Sequence, residues 1–280
     1  MTAGFRSSQR ARHGKILFIL ALKVFLTPIL IAAASLVQRR LGGLVGGLVA
    51  GLPLTSAPIS VLLAIQYGHQ FAATAAIGTL LGVVAMSGFC AAYVRCASRL
   101  GWAPSLALAA AACGLIAFAM AMVPPRLELA AALTFPLLLL LVVIIGPPST
   151  AATTLRAPWW DIPARMLVAA AAVLLITGFA RVVGPRWSGL LSTMPIFAAV
   201  MGVFSHRHGG AAAAHAVLRG IAVGALGAAT FFLTVGVMLE RLGTALTYSV
   251  AVTACVAVAG LTQMLVRSHA RANEALQPEF

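Results

Sequence analysis

The 280-residue chain has few charged side chains and almost no carboxylates. Charged residues make up 9% of the sequence, against a hydrophobic share of 61%. Asp and Glu together number 5, against 19 Lys and Arg, and the formal net charge is +14. A water-facing surface needs more charge than this, so the composition excludes an ordinary soluble domain. It indicates a chain whose surface faces lipid.

Sequence motifs for catalysis, metal binding and cofactor binding are also missing. The four cysteines, Cys90, Cys96, Cys113 and Cys255, form no CxxC pair and no Cys/His cluster. There is no Walker-type phosphate loop and no Ser/His/Asp arrangement in a plausible register. We therefore predict neither an enzyme nor a bound metal or cofactor. The basic residues sit singly or in pairs beside apolar runs, which favours lipid headgroups over nucleic acid as their partner.

Apolar runs are what the sequence has in abundance. About nine of them are long enough to cross ~30 Å of hydrocarbon. The predicted fold class is therefore an all-α, polytopic membrane helix bundle of about nine spans, with the lipid bilayer as partner. Tryptophans lie at predicted span ends, where amphipathic rings favour the headgroup level; they are Trp102, Trp159, Trp160 and Trp187. The runs are 16–37, 41–66, 71–97, 103–123, 127–145, 166–183, 187–205, 211–239 and 245–266.

The two halves of the chain match at an offset of 142 residues. Coincidences among Gly, Pro, Arg and Cys in one register carry more weight than matches among Ala and Leu. Examples are Pro53 with Pro195, Gly78 with Gly220, and Cys113 with Cys255. The predicted organisation is a basic tail 1–15, a four-helix repeat 16–123, a linking transmembrane helix and loop 124–164, a second repeat 165–266, and a tail 267–280.

The apolar run 127–145 between the repeats decides their relative orientation. Four spans plus one is odd, so the second repeat enters the membrane from the opposite side and the repeats have inverted topology. If this run does not cross, the repeats are parallel instead. Basic residues divide almost evenly between the two sides, so the positive-inside rule does not select an orientation.

One short pattern suggests a family. It is a cation early in the first span, then arginines, then a Gly-Gly-Leu run ending in Leu-Pro. In this chain these are Lys23, Arg39-Arg40, Gly46-Gly47-Leu48 and Leu52-Pro53. The second copy keeps Arg165, Arg181, Gly189-Leu190 and Pro195, with Ser188 and Met194 as departures. The repeat resembles a family of small four-helix bacterial inner-membrane proteins of unknown function. The resemblance implies the fold and an inner-membrane location, and it implies no substrate.

Two prolines are the first candidates for a functional site. Pro53 and Pro195 each fall inside a predicted span, where a proline removes a backbone hydrogen bond and breaks the helix. Inverted repeats bring both breaks to the midplane, where transporters place their substrate. The alternative is a kink that serves packing alone. The neighbouring polar residues of the predicted pathway are Thr55, Ser56, Ser192 and Thr193.

Three cations complete the predicted pathway: Lys23, Arg165 and Arg219. Lys23 and Arg165 are equivalent at the 142-residue offset, and each either snorkels to the headgroups or faces a water-filled path. Asp161 precedes Arg165 by four residues and pairs with it if the helix extends back past Pro163. Arg219 follows His215 by four residues, and the pair is either a hydrated helix end or a cationic mouth.

Glycines recur at small-xxx-small spacing, which lets helices approach closely in lipid. Examples are Gly43 with Gly51, Gly78 with Gly82, and Gly220 with Gly224. Helix packing is the predicted role, in preference to phosphate binding.

The predicted function is transport of a small anionic or neutral solute across the inner membrane. The first alternative is a membrane subunit or scaffold without transport of its own. A lipid-modifying enzyme is a further alternative, which needs a polar cluster at headgroup depth. Assembly as a homo-oligomer stays open.

Overall fold

The computed structural model describes residues 25–147, 158–182 and 195–275, with side chains through 175 and 265 in the last two segments. These residues are almost entirely helical. Helix α1 covers 25–41, and the long run Ile196–Ala275 is interrupted by non-helical backbone at Gly210 and Gly243. We name its three parts α8 (196–209), α9 (211–242) and α10 (244–275). The others are α2 Gly43–Gly51, α3 Ser56–Tyr67, α4 His69–Ala97, α5 Trp102–Ala121, α6 Leu127–Ile145 and α7 Asp161–Val182.

Five of the helical runs within the described residues are long and apolar enough to cross a membrane. The prediction of an all-α protein with membrane-spanning helices is confirmed at this level. The fifth run, Ile196–Leu265, has 70 residues and contains the breaks at Gly210 and Gly243. The count of nine spans stays a prediction. The five runs are Gly43–Tyr67, His69–Ala97, Trp102–Ala121, Leu127–Ile145 and Ile196–Leu265.

The linking run 127–145 is a continuous helix. Leu127–Ile145 is helical over all 19 residues, although Pro136 lies inside it. The Oγ1 atom of Thr134 donates a hydrogen bond to the carbonyl oxygen of Leu80 on α4, at 3.4 Å. The helix therefore packs against the core as a full-length apolar element. Trp102 begins α5, a candidate membrane span, and Trp159 and Trp160 come just before α7.

Helices α4 and α9 run antiparallel through the centre of the described structure. Near the end of α4, the Tyr93 hydroxyl lies 3.2 Å from Nδ1 of His206 on α8, which leads into α9. At the start of α4, His69 Nε2 lies 3.0 Å from Thr244 Oγ1, just after α9 ends. Buried residues of both helices share two apolar clusters.

Helices α1 and α7 are also antiparallel. Arg39 and Gln38, at the end of α1, contact Asp161 and Arg165, at the beginning of α7. About two turns earlier in α1 and one turn later in α7, Ile31 and Ala169 belong to one buried apolar cluster with Val200.

Helix α2 crosses α9 on four glycines. A Cβ atom added at Gly47 or Gly51 overlaps the carbonyl oxygen of Val217 or Ile221, and one at Gly51 lies 3.0 Å from Gly224 Cα. A Cβ at Gly220 likewise lies 3.0 Å from the Gly47 carbonyl carbon. Backbone meets backbone here, so the predicted packing role of Gly220 and Gly224 is confirmed. Gly78 has open space around its would-be Cβ and takes no part in such a contact.

One buried hydrogen bond joins α3 to α10. The hydroxyls of Ser60 and Tyr248 lie 2.8 Å apart, and both residues are buried. We expect Tyr248→Phe to lower the free energy of unfolding by about 0.5–1.5 kcal/mol, because the Ser60 hydroxyl then loses its partner. Thr253→Val, on an exposed face of the same helix, is the control and is expected to change it by less than about 0.5 kcal/mol. Detergent unfolding curves of the two variants provide the comparison.

Candidate functional site

A buried polar cluster lies where the end of α1 meets the beginning of α7 and the C-terminal part of α8. Asp161 is its centre, and its side chain has no exposed surface. We call it the Asp161 cluster. Its members are Ser35, Gln38 and Arg39 from α1, Asp161 and Arg165 from α7, and Ser205 and His208 from α8.

Three side chains from three helices surround the Asp161 carboxylate. Arg165 Nε lies 3.1 Å from Oδ2, and Arg39 Nη2 lies 3.2 Å from the same oxygen. His208 Nδ1 lies 3.4 Å from Oδ1 and 2.9 Å from the Phe204 carbonyl oxygen. Because a carbonyl only accepts, Nδ1 of His208 carries a hydrogen. The carboxylate is thus the common partner of α1, α7 and α8.

Gln38 extends the cluster with both ends of its amide. Its Oε1 atom accepts a hydrogen bond from Arg165 Nη1 at 3.0 Å, and its Nε2 atom donates to Ser205 Oγ at 2.9 Å. Gly46 permits this arrangement, because a Cβ at that position lies 2.6 Å from the Gln38 Cα. A glycine turn at Gly42, with φ of 89°, folds α2 back over the end of α1.

The side chain of Arg165 is almost completely buried. It is 1% exposed, its Nη1 atom lies 3.4 Å from Met201 Sδ, and its guanidinium carbon lies 5.4 Å from the Phe204 ring centre. The predicted pair with Asp161 forms, because α7 begins at Asp161 and tolerates Pro163 in its first turn. Arg165 therefore neither snorkels to the headgroups nor stands as an unpaired cation, because it is buried and paired with Asp161.

The cluster carries one more formal positive charge than negative. Arg39 and Arg165 share a single carboxylate, even with His208 counted as neutral. Arg39 is the outer member: its side chain is 28% exposed, and its Nη2 atom also donates to the Pro158 carbonyl at 3.0 Å. The cluster is therefore a cation-rich polar region open on the Arg39 side.

The predicted break at Pro53 is present. Helix α2 ends at Gly51, α3 begins at Ser56, and residues 52–55 between them are not helical. The break lies midway along the apolar run Gly43–Tyr67. Thr55, the N-cap residue of α3, makes no side-chain capping hydrogen bond. Thr55 and Ser56 are both half-buried, and they are the polar side chains at this break.

Pro195, like Pro53, accepts the first backbone hydrogen bond of a helix. The carbonyl oxygen of Pro53 accepts from the Ala57 backbone N–H at 2.7 Å, and that of Pro195 accepts from Ala199 at 2.8 Å. Both prolines are buried; Pro195 directly precedes α8, and Pro53 lies three residues before the start of α3. No hydrogen bond among the described residues connects either proline to the Asp161 cluster. The remaining predicted pathway residues Lys23, Ser192 and Thr193 lie outside the described residues.

Arg219 lies inside α9, away from any helix end, and is 9% exposed. The alternative of a hydrated helix end is therefore wrong for this residue. His215, one turn earlier, has its Nε2 atom 3.3 Å from the Gly146 carbonyl oxygen. Arg219 is not among the partners of Arg165, so these two predicted pathway cations occupy different environments.

Sequence reasoning missed Gln38, Ser205 and Met201 as members of the site. A pattern for Gln38 was present, because Thr27, Ile31, Ser35 and Gln38 follow helical spacing and all are buried. Polar residues that share one face with a buried Ile indicate a polar interior stripe. Ser205 and Met201 reach the site only through the packing of α8, which no local pattern specifies.

The chain was compared with protein-family models, with curated proteins and with solved structures, and none of the three comparisons finds a match.

Proposed function

We propose that this protein is a small-solute transporter of a bacterial inner membrane, built from two four-helix halves of inverted topology that move against one another. The observation that carries the proposal is the mid-run helix break at Pro53, whose equivalent at the 142-residue offset, Pro195, directly precedes α8. Broken helices are tolerated at membrane depth only where they face protein or a water-filled cavity. In transporters with inverted repeats, such breaks form the substrate site.

The packing directions of the helices support inverted halves. Helix α1 and helix α7 are equivalent at the 142-residue offset and run antiparallel, and α4 and α9 do the same. Helix boundaries at Gly68 and Gly210, and at Gly101 and Gly243, recur at that offset. If the two halves were related by an axis along the membrane normal, each helix would run in the same direction as its equivalent in the other half. If the axis lies in the membrane plane, equivalent helices are expected to run in opposite directions.

The continuous helix α6 supports an odd number of crossings. Its 19 apolar residues are sufficient for one passage through hydrocarbon. If α6 crosses the membrane between two sets of four spans, the total is nine and the two halves insert from opposite sides.

The polarity of the breaks favours an anionic or neutral polar solute. Helix α8 begins directly after Pro195 and α3 begins three residues after Pro53, and a helix N-terminus presents free N–H groups and a partial positive charge. Thr55 leaves the N-terminus of α3 without a side-chain cap. Together with the Nε and Nη1 atoms of Arg219, which are unpartnered among the described residues, these groups offer hydrogen-bond donors in excess of acceptors.

A cysteine at Thr55 tests whether the break faces water. In a variant whose four native cysteines are replaced by alanine, we expect Thr55→Cys to react with a small, charged, membrane-impermeant thiol reagent from at least one side. Leu115→Cys, whose parent side chain is 72% exposed on the apolar surface of α5, is the lipid-facing control and should stay unreactive. A Thr55→Cys that is as unreactive as this control would mean a dry kink, as in a scaffold.

Removing both prolines tests their role in movement. We expect Pro53→Ala combined with Pro195→Ala to leave the protein inserted and folded, because the flanking helices keep their packing. The Thr55→Cys thiol should then lose at least 10-fold in reaction rate, since continuous helices close the break. An unchanged rate in a folded double variant would contradict the assignment of the prolines to the solute path.

A further inference from the structure

Arg219 is a buried cation that lacks a counter-ion within the described part of the chain. Only 9% of the residue is exposed, and its Nε and Nη1 atoms are buried without a hydrogen-bond partner. Every salt bridge among the described residues has Asp161 as its acid, and none of them involves Arg219. A buried cation without a partner is costly, so a residue in this position requires a partner from outside these helices.

Arg165 is a second buried arginine, and it has hydrogen-bond partners inside the protein. Its guanidinium has a carboxylate at 3.1 Å and a glutamine oxygen at 3.0 Å, and it is less exposed than Arg219. Arg219 has neither kind of partner. The contrast between the two arginines distinguishes a structural ion pair from a cation that is free to bind a ligand.

The residues that share a helix face with Arg219 are two apolar residues and His215. On the same face of α9, Ala222 and Val223 are fully buried, and His215 lies one turn earlier. The His215 ring is held by its Nε2–H, which donates to the Gly146 carbonyl. The equivalent position in the first half is Ile77, so the first half has no arginine at the matching position.

We propose that Arg219 binds one small oxyanion, a carboxylate or a phosphate. A guanidinium is a weakly hydrated cation with several fixed N–H donors, and it binds planar or tetrahedral oxyanions through charge-assisted hydrogen bonds. The binding site rests on the burial and the unpartnered donors of Arg219. That its ligand is the transported solute rests in addition on the proposed function. A dissolved anion and a lipid phosphate present the same chemistry to this site.

Anion-dependent thermal stability in neutral detergent tests the site. Sodium chloride is replaced stepwise by sodium acetate or sodium phosphate at constant ionic strength, and the melting temperature is recorded. We expect a saturable rise for one of these anions, with Arg219→Gln weakening the apparent affinity about 10-fold or more. Arg241→Gln, an exposed arginine at the far end of α9, is the control and should keep the response.

The lipid source is distinguished by repeating the measurement in nanodiscs of phosphatidylcholine with and without phosphatidylglycerol. A rise that needs phosphatidylglycerol and is lost in Arg219→Gln assigns the site to a lipid phosphate. A response in neither medium, or one that Arg219→Gln retains, overturns the proposal. If Arg219→Gln does not fold, Arg219→Lys replaces it. That variant keeps the charge but loses the planar fork, so it should weaken the response, and an unchanged affinity would contradict the site.

Uptake of labelled acetate and phosphate into proteoliposomes separates the site from transport. Anion binding that depends on Arg219, without uptake of the bound anion, leaves the site in place and removes the transport role. Uptake that persists in Arg219→Gln keeps transport and removes Arg219 from the solute path.

Discussion

Asp161→Asn is expected to lower the free energy of unfolding by about 3–5 kcal/mol, because it leaves the guanidinium of Arg165 buried without a counter-ion. Asn has nearly the same shape as Asp, so the loss measures charge more than packing. Asp161 has no exposed surface, and the carboxylate binds arginines of two helices and the His208 ring. The measurement is the unfolding midpoint in mixed dodecyl maltoside and dodecyl sulfate micelles, supported by melting temperature.

A matched control and a double variant isolate the ion pair. Glu240→Gln removes an exposed carboxylate and is expected to change stability by less than about 0.5 kcal/mol. Asp161→Leu with Arg165→Met replaces the pair by apolar side chains and is expected to recover most of the lost stability. A loss below about 1 kcal/mol for Asp161→Asn would show that the carboxylate is not the centre of a buried ion pair.

Gly220→Ala is expected to lower the free energy of unfolding by about 1–3 kcal/mol, because the new methyl group overlaps the backbone of α2. The atoms it meets are the Leu44 carbonyl oxygen and the Leu48 backbone nitrogen, at 2.8 Å from the latter. Backbone atoms cannot rotate away as a side chain can, so α2 and α9 must separate. Gly47→Ala is expected to act in the same direction from the other side of the contact.

The control for the glycine contact is Gly114→Ala on α5. The would-be Cβ of Gly114 meets nothing within 4 Å, so this substitution adds only helix propensity. We expect it to leave stability unchanged or slightly increased. Equal losses in Gly220→Ala and Gly114→Ala would mean that the effect is not steric, and would contradict the close crossing of α2 and α9.

Local chemistry made several features predictable from the sequence. Pro53 cannot continue a helix, so the break between α2 and α3 follows from one residue. Asp161 and Arg165 are four residues apart, so their pairing needs only that α7 begin early enough. The glycines Gly220 and Gly224 have the spacing of a close helix contact, and the contact is present.

Tertiary packing determines what the sequence could not reveal. Gln38 and Ser205 are far apart in the chain, and their hydrogen bond exists only because α8 packs across the end of α1. Arg219 resembles a helix-end arginine by its position after His206, Arg207 and His208. It becomes buried because α9 passes through the centre of the helices that surround it. Neither arrangement leaves a local pattern.

The most direct test of the central proposal compares Leu100→Cys with Leu242→Cys. These positions are equivalent at the 142-residue offset, and both parent side chains are exposed, at 40% and 43%. In a background without the native cysteines, a membrane-impermeant thiol reagent is added to intact cells and to inverted vesicles. Inverted halves predict that one thiol is labelled only in cells and the other only in inverted vesicles. Labelling of both thiols from the same side would contradict inverted topology and remove the structural argument for transport.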